Sequence, residues 1–135
     1  MAFKFSTTVR NARLDAFETA VGTDPVLKLR TGSPPANCAT ADSGTVLASM
    51  TLPSDWMAAA SGGSKALSGT WSDTSADAAG DAAHFRLYAS DGTTCHAQGT
   101  VTATGGGGDM TINAVALVVG QPVVVTGFTI TDGNA

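Results

Sequence analysis

The stretch His84 to Gly92, HFRLYASDG, decides how the rest of the sequence is interpreted. Apolar and polar side chains alternate along it, with Phe85 and Ala89 on the same side, and a period of two is typical of a half-buried β-strand. Asp91-Gly92 then predicts a tight hairpin, because a two-residue type I′ turn requires positive φ at both central residues. The alternating run at residues 93–101 is therefore predicted to be the second strand of this hairpin.

Similar short runs lie on both sides of the hairpin and predict a mainly β fold. They occupy residues 27–30, 45–52, 66–71, 110–118 and 122–131. Seven strands at this spacing, without helices between them, predict an antiparallel β-sandwich or a jelly-roll-like barrel. Three aromatic residues share the inward parity of their strands and are expected in the core: Trp71, Phe85 and Phe128. Three stretches are predicted to be long loops, which often carry binding sites: residues 31–44, 53–64 and 72–83.

Residues 6–21 follow a helical period instead. Leu14, Phe17 and Val21 form a narrow apolar stripe, Ser6 or Thr7 can cap the first turn, and Gly22 is typical of a helix end. This pattern predicts one N-terminal α-helix outside the sandwich. We therefore expect an N-terminal arm and helix at residues 1–22 and a single β-sandwich domain at residues 23–135.

The charge and hydropathy of the chain exclude two classes of partner. Its 135 residues have a formal net charge of −4, and only 13% of them are charged. A basic nucleic-acid-binding surface is not expected from this composition. No apolar run approaches the roughly 18 residues that span a bilayer, and polar residues follow Phe5 where a signal peptide would be apolar. We expect a product that is made in the cytoplasm and binds neither nucleic acid nor membrane.

Residues that could carry chemistry are few, so we expect no enzyme. Glu18 is the only glutamate and lies on the predicted helix, without a partner for acid–base catalysis. The parity of its strand places His84 on the outer face of the sheet, where we expect an exposed histidine. The two cysteines lack zinc-ligand spacing. No catalytic, cofactor-binding or metal-binding residue is predicted, and no cofactor is expected.

Three interpretations remain open for Cys38, in the first long loop, and Cys95, after the hairpin turn. They can form a disulfide that ties the loop to the sandwich, they can be two inert thiols, or Cys95 can be a reactive thiol beside His96. The last is disfavoured because neighbouring strand residues point to opposite faces. Trp56 has two readings as well: it can close one end of the sandwich, or it can anchor a protein contact, where tryptophan is enriched.

Six segments of the chain resemble a family of small virion structural proteins of tailed bacteriophages. They are NARLD at 11–15, TAVG at 19–22, LRTGSPPANC at 29–38, LPSDWM at 52–57, AHFRL at 83–87 and FTITDGNA at 128–135. Within such phages, a short β-sandwich resembles a capsid decoration or cement protein. The resemblance implies the major capsid protein as partner, a homo-oligomer (dimer or trimer) on the capsid exterior and synthesis in the host cytoplasm. The alternative is a collar, tail or fibre-base component that contacts another virion protein or a host receptor.

The N-terminal segment, Met1 to Gly22, is predicted to be the main docking element. Residues 1–30 hold five basic and three acidic side chains, so this part of the chain is positive while the remainder is acidic. Basic residues beside apolar ones suit a partner surface with acidic patches. The candidate contact residues are Phe3, Lys4, Phe5, Arg10, Arg13, Phe17, Pro34 and Trp56.

Overall fold

In the computed structural model, which describes residues 3–134, the N-terminal helix α1 spans Thr7–Val21. The Ser6 hydroxyl accepts a hydrogen bond from the backbone N–H of Val9, and Gly22 ends the helix with φ +90°. Both ends therefore follow the predicted capping chemistry. Met1 and Ala135, the outer limits of the two predicted regions, lie outside the described residues.

Ten strands follow the helix in the described part of the chain. They are β1 (Val26–Arg30), β2 (Val46–Thr51), β3 (Ser64–Ala66), β4 (Ser72–Asp73), β5 (Gly80–Asp81), β6 (His84–Tyr88), β7 (Cys95–Ala103), β8 (Met110–Ile112), β9 (Ala116–Leu117) and β10 (Val123–Thr131). The predicted strand at 66–71 is wrong beyond Ala66, and the predicted strand at 110–118 is divided into β8 and β9. The predicted loop at 72–83 contains the short strands β4 and β5.

The main sheet has the order β2-β1-β6-β7-β8-β10-β3, with β4 also paired to β10, and β5 pairs with β9 in a second, small sheet. This arrangement confirms the predicted mainly β, sandwich-like fold with one N-terminal helix. One pair departs from the antiparallel prediction, because β7 and β8 are parallel. No helix in residues 3–134 is long and apolar enough to cross a membrane.

Glycines explain how β8 can run parallel to β7 after only six connecting residues. The chain passes Ala103, turns back and approaches its own strand so closely that a Cβ on Gly108 would lie 2.9 Å from the backbone nitrogen of Thr102. Gly107 has a φ of +81°, which other residues rarely adopt. The run of four glycines therefore lets the chain return along β7.

The β6–β7 hairpin is present, but its turn is not the predicted type I′. Only Gly92, at φ +72°, has a positive φ there, and its N–H donates to the Ala89 carbonyl. The Asp91 carboxylate accepts hydrogen bonds from the backbone N–H groups of Thr93 and Thr94. The side chain of Asp91 thus closes a longer loop in place of the two-residue turn.

A chain of aromatic rings forms the centre of the core. Trp71, Phe85 and Phe128 are buried as predicted, and Trp56 joins them with none of its surface exposed. Successive ring centroids from Phe17 through Trp56, Trp71 and Phe128 to Phe85 are 5.6, 5.9, 5.5 and 5.7 Å apart. Because Phe17 belongs to α1, this chain joins the helix to the sheet.

Candidate functional site

The loop between β1 and β2, residues 31–44, covers the outer face of β6, and we call it the strap. All five residues of β6 are buried, including those on the outer face. The prediction of an exposed His84 is therefore wrong: its side chain is fully buried, and its Nδ1 lies 2.7 Å from the Gly32 carbonyl oxygen of the strap. Strand parity identified the face correctly, but not the loop that covers it.

A single carboxylate, Asp42, fastens the strap to two buried arginines. Asp42 Oδ2 lies 3.0 Å from Arg30 Nη2, and Asp42 Oδ1 accepts from Arg86 Nη1 and, at 2.7 Å, from the Tyr88 hydroxyl. The other Nη of Arg86 donates to two strap carbonyls, of Asn37 at 2.9 Å and Thr40 at 3.0 Å. Each arm of this guanidinium therefore binds the strap, as its fork geometry allows.

The electrostatics of this cluster favour its charged form. Burial acts to raise the pKa of Asp42, but hydrogen bonds from Tyr88 and Arg86 and the two guanidinium charges outweigh it, so the pKa lies below its ordinary value. Burial and the neighbouring carboxylate raise the pKa of Tyr88. The carboxylate is engaged by three donors and faces no nucleophile, which suits a structural fastening.

Cys38 of the strap lies beside Cys95, the first residue of β7. Both are free, half-buried thiols. Burial raises the pKa of Cys95 to about 12, and the adjacent Cys38 thiol adds to the rise while the Arg86 charge opposes it. Such a thiol is unreactive at neutral pH, because the thiolate is the nucleophile.

We expect alkylation of Cys95 to be slow in the folded protein. At pH 8 about a tenth of a thiol with the ordinary pKa of 9.0 is ionised, but only about one in 10,000 when the pKa is about 12. Iodoacetamide should therefore label Cys95 at least about 100-fold more slowly in the native protein than in urea, as measured by mass spectrometry of its peptide. A Cys38→Ser variant serves as control for labelling of the other thiol. Equal labelling rates of Cys95 in the native protein and in urea would contradict the burial of this thiol.

The two arginines of the predicted docking segment contact the domain itself. Arg10 Nε donates to the Asp132 carbonyl at 2.9 Å, and Arg13 Nε lies 3.1 Å from the Asp132 carboxylate. The guanidinium of Arg13 also lies 4.6 Å above the centre of the Phe5 ring. These contacts hold the helix against the end of β10, so both arginines have partners within the chain.

The remaining candidate contacts differ widely in exposure. Phe3 is 76% exposed, Lys4 is exposed, and Phe5 and Phe17 are half-buried. Pro34 is half-buried in the strap. Trp56 is completely buried, and its Nε1 donates to the Gly22 carbonyl at 2.9 Å. Trp56 therefore packs inside the domain and has no exposed surface to offer a partner.

A buried lysine pairs the helix with β3. The Lys65 side chain is 1% exposed, and its Nζ lies 2.6 Å from Asp15 Oδ1 and 2.7 Å from Glu18 Oε2. Burial acts to lower the pKa of Lys65, but the hydrogen bonds and charges of the two carboxylates raise it above its ordinary value. The only glutamate of the chain therefore has a structural partner, and the sequence pattern had no signal for it.

This pair predicts a loss of stability in strong alkali. A lysine with a raised folded-state pKa contributes stability that is complete below the ordinary value of 10.5 and disappears as pH rises through the folded value. We expect the melting temperature to fall more steeply between pH 10 and 12 in the wild type than in Lys65→Met. Tyr88 and Cys95 are present in both proteins, so the difference in slope reports Lys65. Lys4→Met, at an exposed lysine, should fall as steeply as the wild type, and identical slopes in all three would refute the prediction.

An exposed apolar turn was missed by the sequence analysis. Val118 and Val119, between β9 and β10, are 61% and 69% exposed. Residues 118–121 form a turn in which the Gln121 N–H donates to the Val118 carbonyl and Gly120 has a φ of +87°. The sequence analysis placed Val118 in a strand, where its exposure could not be recognised.

No group of three or more His, Cys, Asp or Glu side chains in residues 3–134 is arranged to hold a metal ion. Comparison of the chain with protein-family models, with curated proteins and with solved structures finds no match.

Proposed function

We propose that this chain is a virion structural protein of a tailed bacteriophage, a decoration protein that binds the outside of the capsid lattice. The observation that carries the proposal is a pair of exposed apolar patches at the two ends of β10, one of the two nine-residue strands. One, the terminal patch, consists of Phe3 and Phe5, whose ring centroids are 5.0 Å apart. The other, the turn patch, consists of Val118 and Val119.

The fold holds these patches apart on a rigid element. The Phe5 N–H donates to the Asn134 carbonyl, just beyond the end of β10, whereas the turn patch directly precedes its start. Nine residues of β10 span eight steps of about 3.3 Å, or roughly 26 Å. Two separated apolar patches on a rigid strand suit a protein that bridges two neighbouring subunits of a lattice.

The use of the charged residues supports a structural rather than a catalytic role. Arg30, Arg86 and Lys65 are buried and paired with carboxylates of the same chain. A catalytic group needs access to a substrate and a pKa suited to proton transfer. The proposed partner is the major capsid protein, and on the capsid we propose a homo-oligomer, a dimer or a trimer, on the exterior of the particle.

The copy number per particle tests this proposal. A decoration protein covers the lattice, so quantitative gel analysis of purified virions should give hundreds of copies. A dozen copies or fewer would support the alternative, a collar, tail or fibre-base component. Absence of the protein from purified virions would refute both.

The two-patch arrangement makes a separate prediction about capsid stability. Phe3→Ser and Val119→Ser each remove exposed apolar surface, whose burial is worth about 1.5–3 kcal/mol for a large side chain. We expect about tenfold weaker binding to undecorated capsids for each variant, and loss of the heat resistance that bridging confers. Binding is measured by co-sedimentation and heat resistance by release of packaged DNA.

Neighbouring exposed positions provide matched controls for this test. Thr8→Ser and Ala116→Ser change exposed residues close in sequence to the two patches, and both variants should bind and protect like the wild type. Binding of both patch variants at wild-type affinity would move the contact elsewhere on the surface.

A further inference from the structure

Strand β8 is too short to fill the space between its neighbours. It has three residues, whereas β7 and β10, which flank it, have nine each. β8 pairs with Val101–Ala103 of β7 and with Val125–Phe128 of β10. On the side of Met110, the first residue of β8, strands β7 and β10 continue without a strand between them. A cleft of about 400 Å³ lies in this gap.

The β7 wall of this cleft presents unpaired main-chain groups. The Val101 N–H donates to the Ala83 carbonyl on the β6 side, whereas the Thr100 N–H points away from β6 and donates to the Asp109 carboxylate at 2.9 Å. Because hydrogen-bonding direction alternates along an antiparallel strand, the N–H and C=O of Gln98 also point away from β6. Among residues 3–134 no main-chain partner occupies that side of Gln98.

The β10 wall mirrors this arrangement. The Phe128 carbonyl accepts from the Leu67 N–H, and the Asp132 N–H donates to the Gly63 carbonyl, so both residues face β3. By the same alternation, the main-chain groups of Thr129 and Thr131 point into the cleft. Within the described chain they have no strand partner on that side.

The spacing of the walls matches one missing strand. β8 holds β7 and β10 two strand separations apart, about 9.5 Å, which is the width that one further strand between them would need. The floor of the cleft is apolar and aromatic, formed by Phe17, Phe85 and Phe128. An apolar small molecule would contact only the aromatic floor. An extended peptide backbone would also form hydrogen bonds with the main-chain N–H and C=O groups on both walls.

Residues 3–134 leave this space open. The chain leaves the glycine loop at Asp109 and enters the sheet only at Met110. Asp109 Oδ2 accepts hydrogen bonds from the N–H and the hydroxyl of Thr100. It therefore takes the place that a backbone carbonyl of a neighbouring strand would hold. Asp109 Oδ1 has no partner among the described residues. A carboxylate therefore stands at the end of the cleft nearest β8.

We propose that this cleft binds an extended segment of a partner protein as an additional strand, collinear with β8 and parallel to β7. Its main chain pairs with Gln98 on one side and with Thr129 and Thr131 on the other. Alternate side chains are apolar and enter the aromatic floor, and a basic residue at its carboxyl end lies beside Asp109. This is strand addition at an open sheet, in which main-chain bonds give affinity and alternate side chains give specificity.

The proposal does not depend on the proposed virion function and can be tested on the isolated protein. The probe is the blocked peptide acetyl-TVTVK-amide, titrated into ¹⁵N-labelled protein and followed by NMR. We expect saturable binding with a dissociation constant below about 1 mM, and the largest amide shifts at Gln98, Thr129 and Thr131. Absence of shifts at 5 mM peptide would overturn the proposal.

Two controls separate strand addition from other kinds of binding. The same peptide with N-methyl groups on alternate residues keeps its side chains but loses main-chain donors, and it should bind at least tenfold more weakly. Equal affinity would show side-chain binding only and overturn the strand assignment.

The second control fills the cleft. Ala97→Phe places a ring in the cleft and should weaken peptide binding at least tenfold, whereas Ala103→Phe, at an exposed position of the same strand, should leave it unchanged. If the wild type forms a dimer that Ala97→Phe converts to a monomer, the occupant is a second copy of the chain, and the assignment to a partner protein is overturned.

Discussion

Replacing Trp56 by alanine is expected to lower the free energy of unfolding by about 4 kcal/mol. The ring is fully buried and contacts the rings of Phe17 and Trp71, so its removal leaves a cavity between helix and sheet. Loss of a buried aromatic side chain costs about 3–5 kcal/mol, and small domains are stable by only about 5–15 kcal/mol. Urea unfolding followed by circular dichroism measures the change.

Two further variants define the origin of this effect. Trp56→Phe keeps an aromatic ring but removes the hydrogen bond to the Gly22 carbonyl and some volume, so we expect a loss of about 1–2 kcal/mol. Phe3→Ala, at a residue that is 76% exposed, should change stability by less than about 0.5 kcal/mol. A Trp56→Ala protein as stable as Phe3→Ala would show that Trp56 does not join helix and sheet.

Asp42→Ala is expected to be more destabilising than Arg86→Met, although the two residues form one ion pair. Removing Asp42 leaves the guanidiniums of Arg30 and Arg86, 8% and 2% exposed, without a carboxylate. Breaking a buried pair in this way costs about 3–5 kcal/mol, and because Asp42 itself is 41% exposed we expect about 2–3 kcal/mol. Arg86→Met leaves Asp42 with Arg30, Tyr88 and solvent, and we expect about 1 kcal/mol.

Urea unfolding of both variants measures this order. Asp55→Ala is the matched control, since it removes an exposed carboxylate and changes net charge by the same amount. Its stability should lie within about 0.5 kcal/mol of the wild type. If Arg86→Met were the less stable of the two variants, the number of strap carbonyls bound by Arg86, rather than charge pairing, would dominate the cluster.

Local patterns in the sequence predicted the elements whose structure depends on local chemistry. Helix α1 begins at a serine cap and ends at a glycine, and both signals lie within one turn of the boundary. The inward parity of Phe85 in β6 and Phe128 in β10 is likewise a local property of strands, whereas Trp71 is buried as predicted but lies just before β4. These features could be predicted because neighbouring residues determine them.

Features that depend on distant contacts could not be predicted in this way. Parity placed His84 on the outer face of β6, but the burial of that face depends on Asp42 reaching Arg86 from a loop more than 40 residues earlier in the chain. The cleft is similar: no pattern in residues 110–112 indicates that β8 stops while β7 and β10 continue. The sequence therefore indicated the longer strands of the sheet, but not its short strands or the loop that covers its outer face.

The pairing of β1 with β6 has a consequence for how the protein folds. β6 and β7 are joined by a short loop and can meet early, but Leu27 must find Leu87, which lies 60 residues later in the chain. Non-local pairing of this kind makes folding slow, because loop-closure entropy is lost before the contacts form. The strap can close only after β1 lies beside β6, since Asp42 needs Arg30 and Arg86 side by side. We therefore expect its ion pairs to form late in folding and to stabilise the protein chiefly by slowing its unfolding.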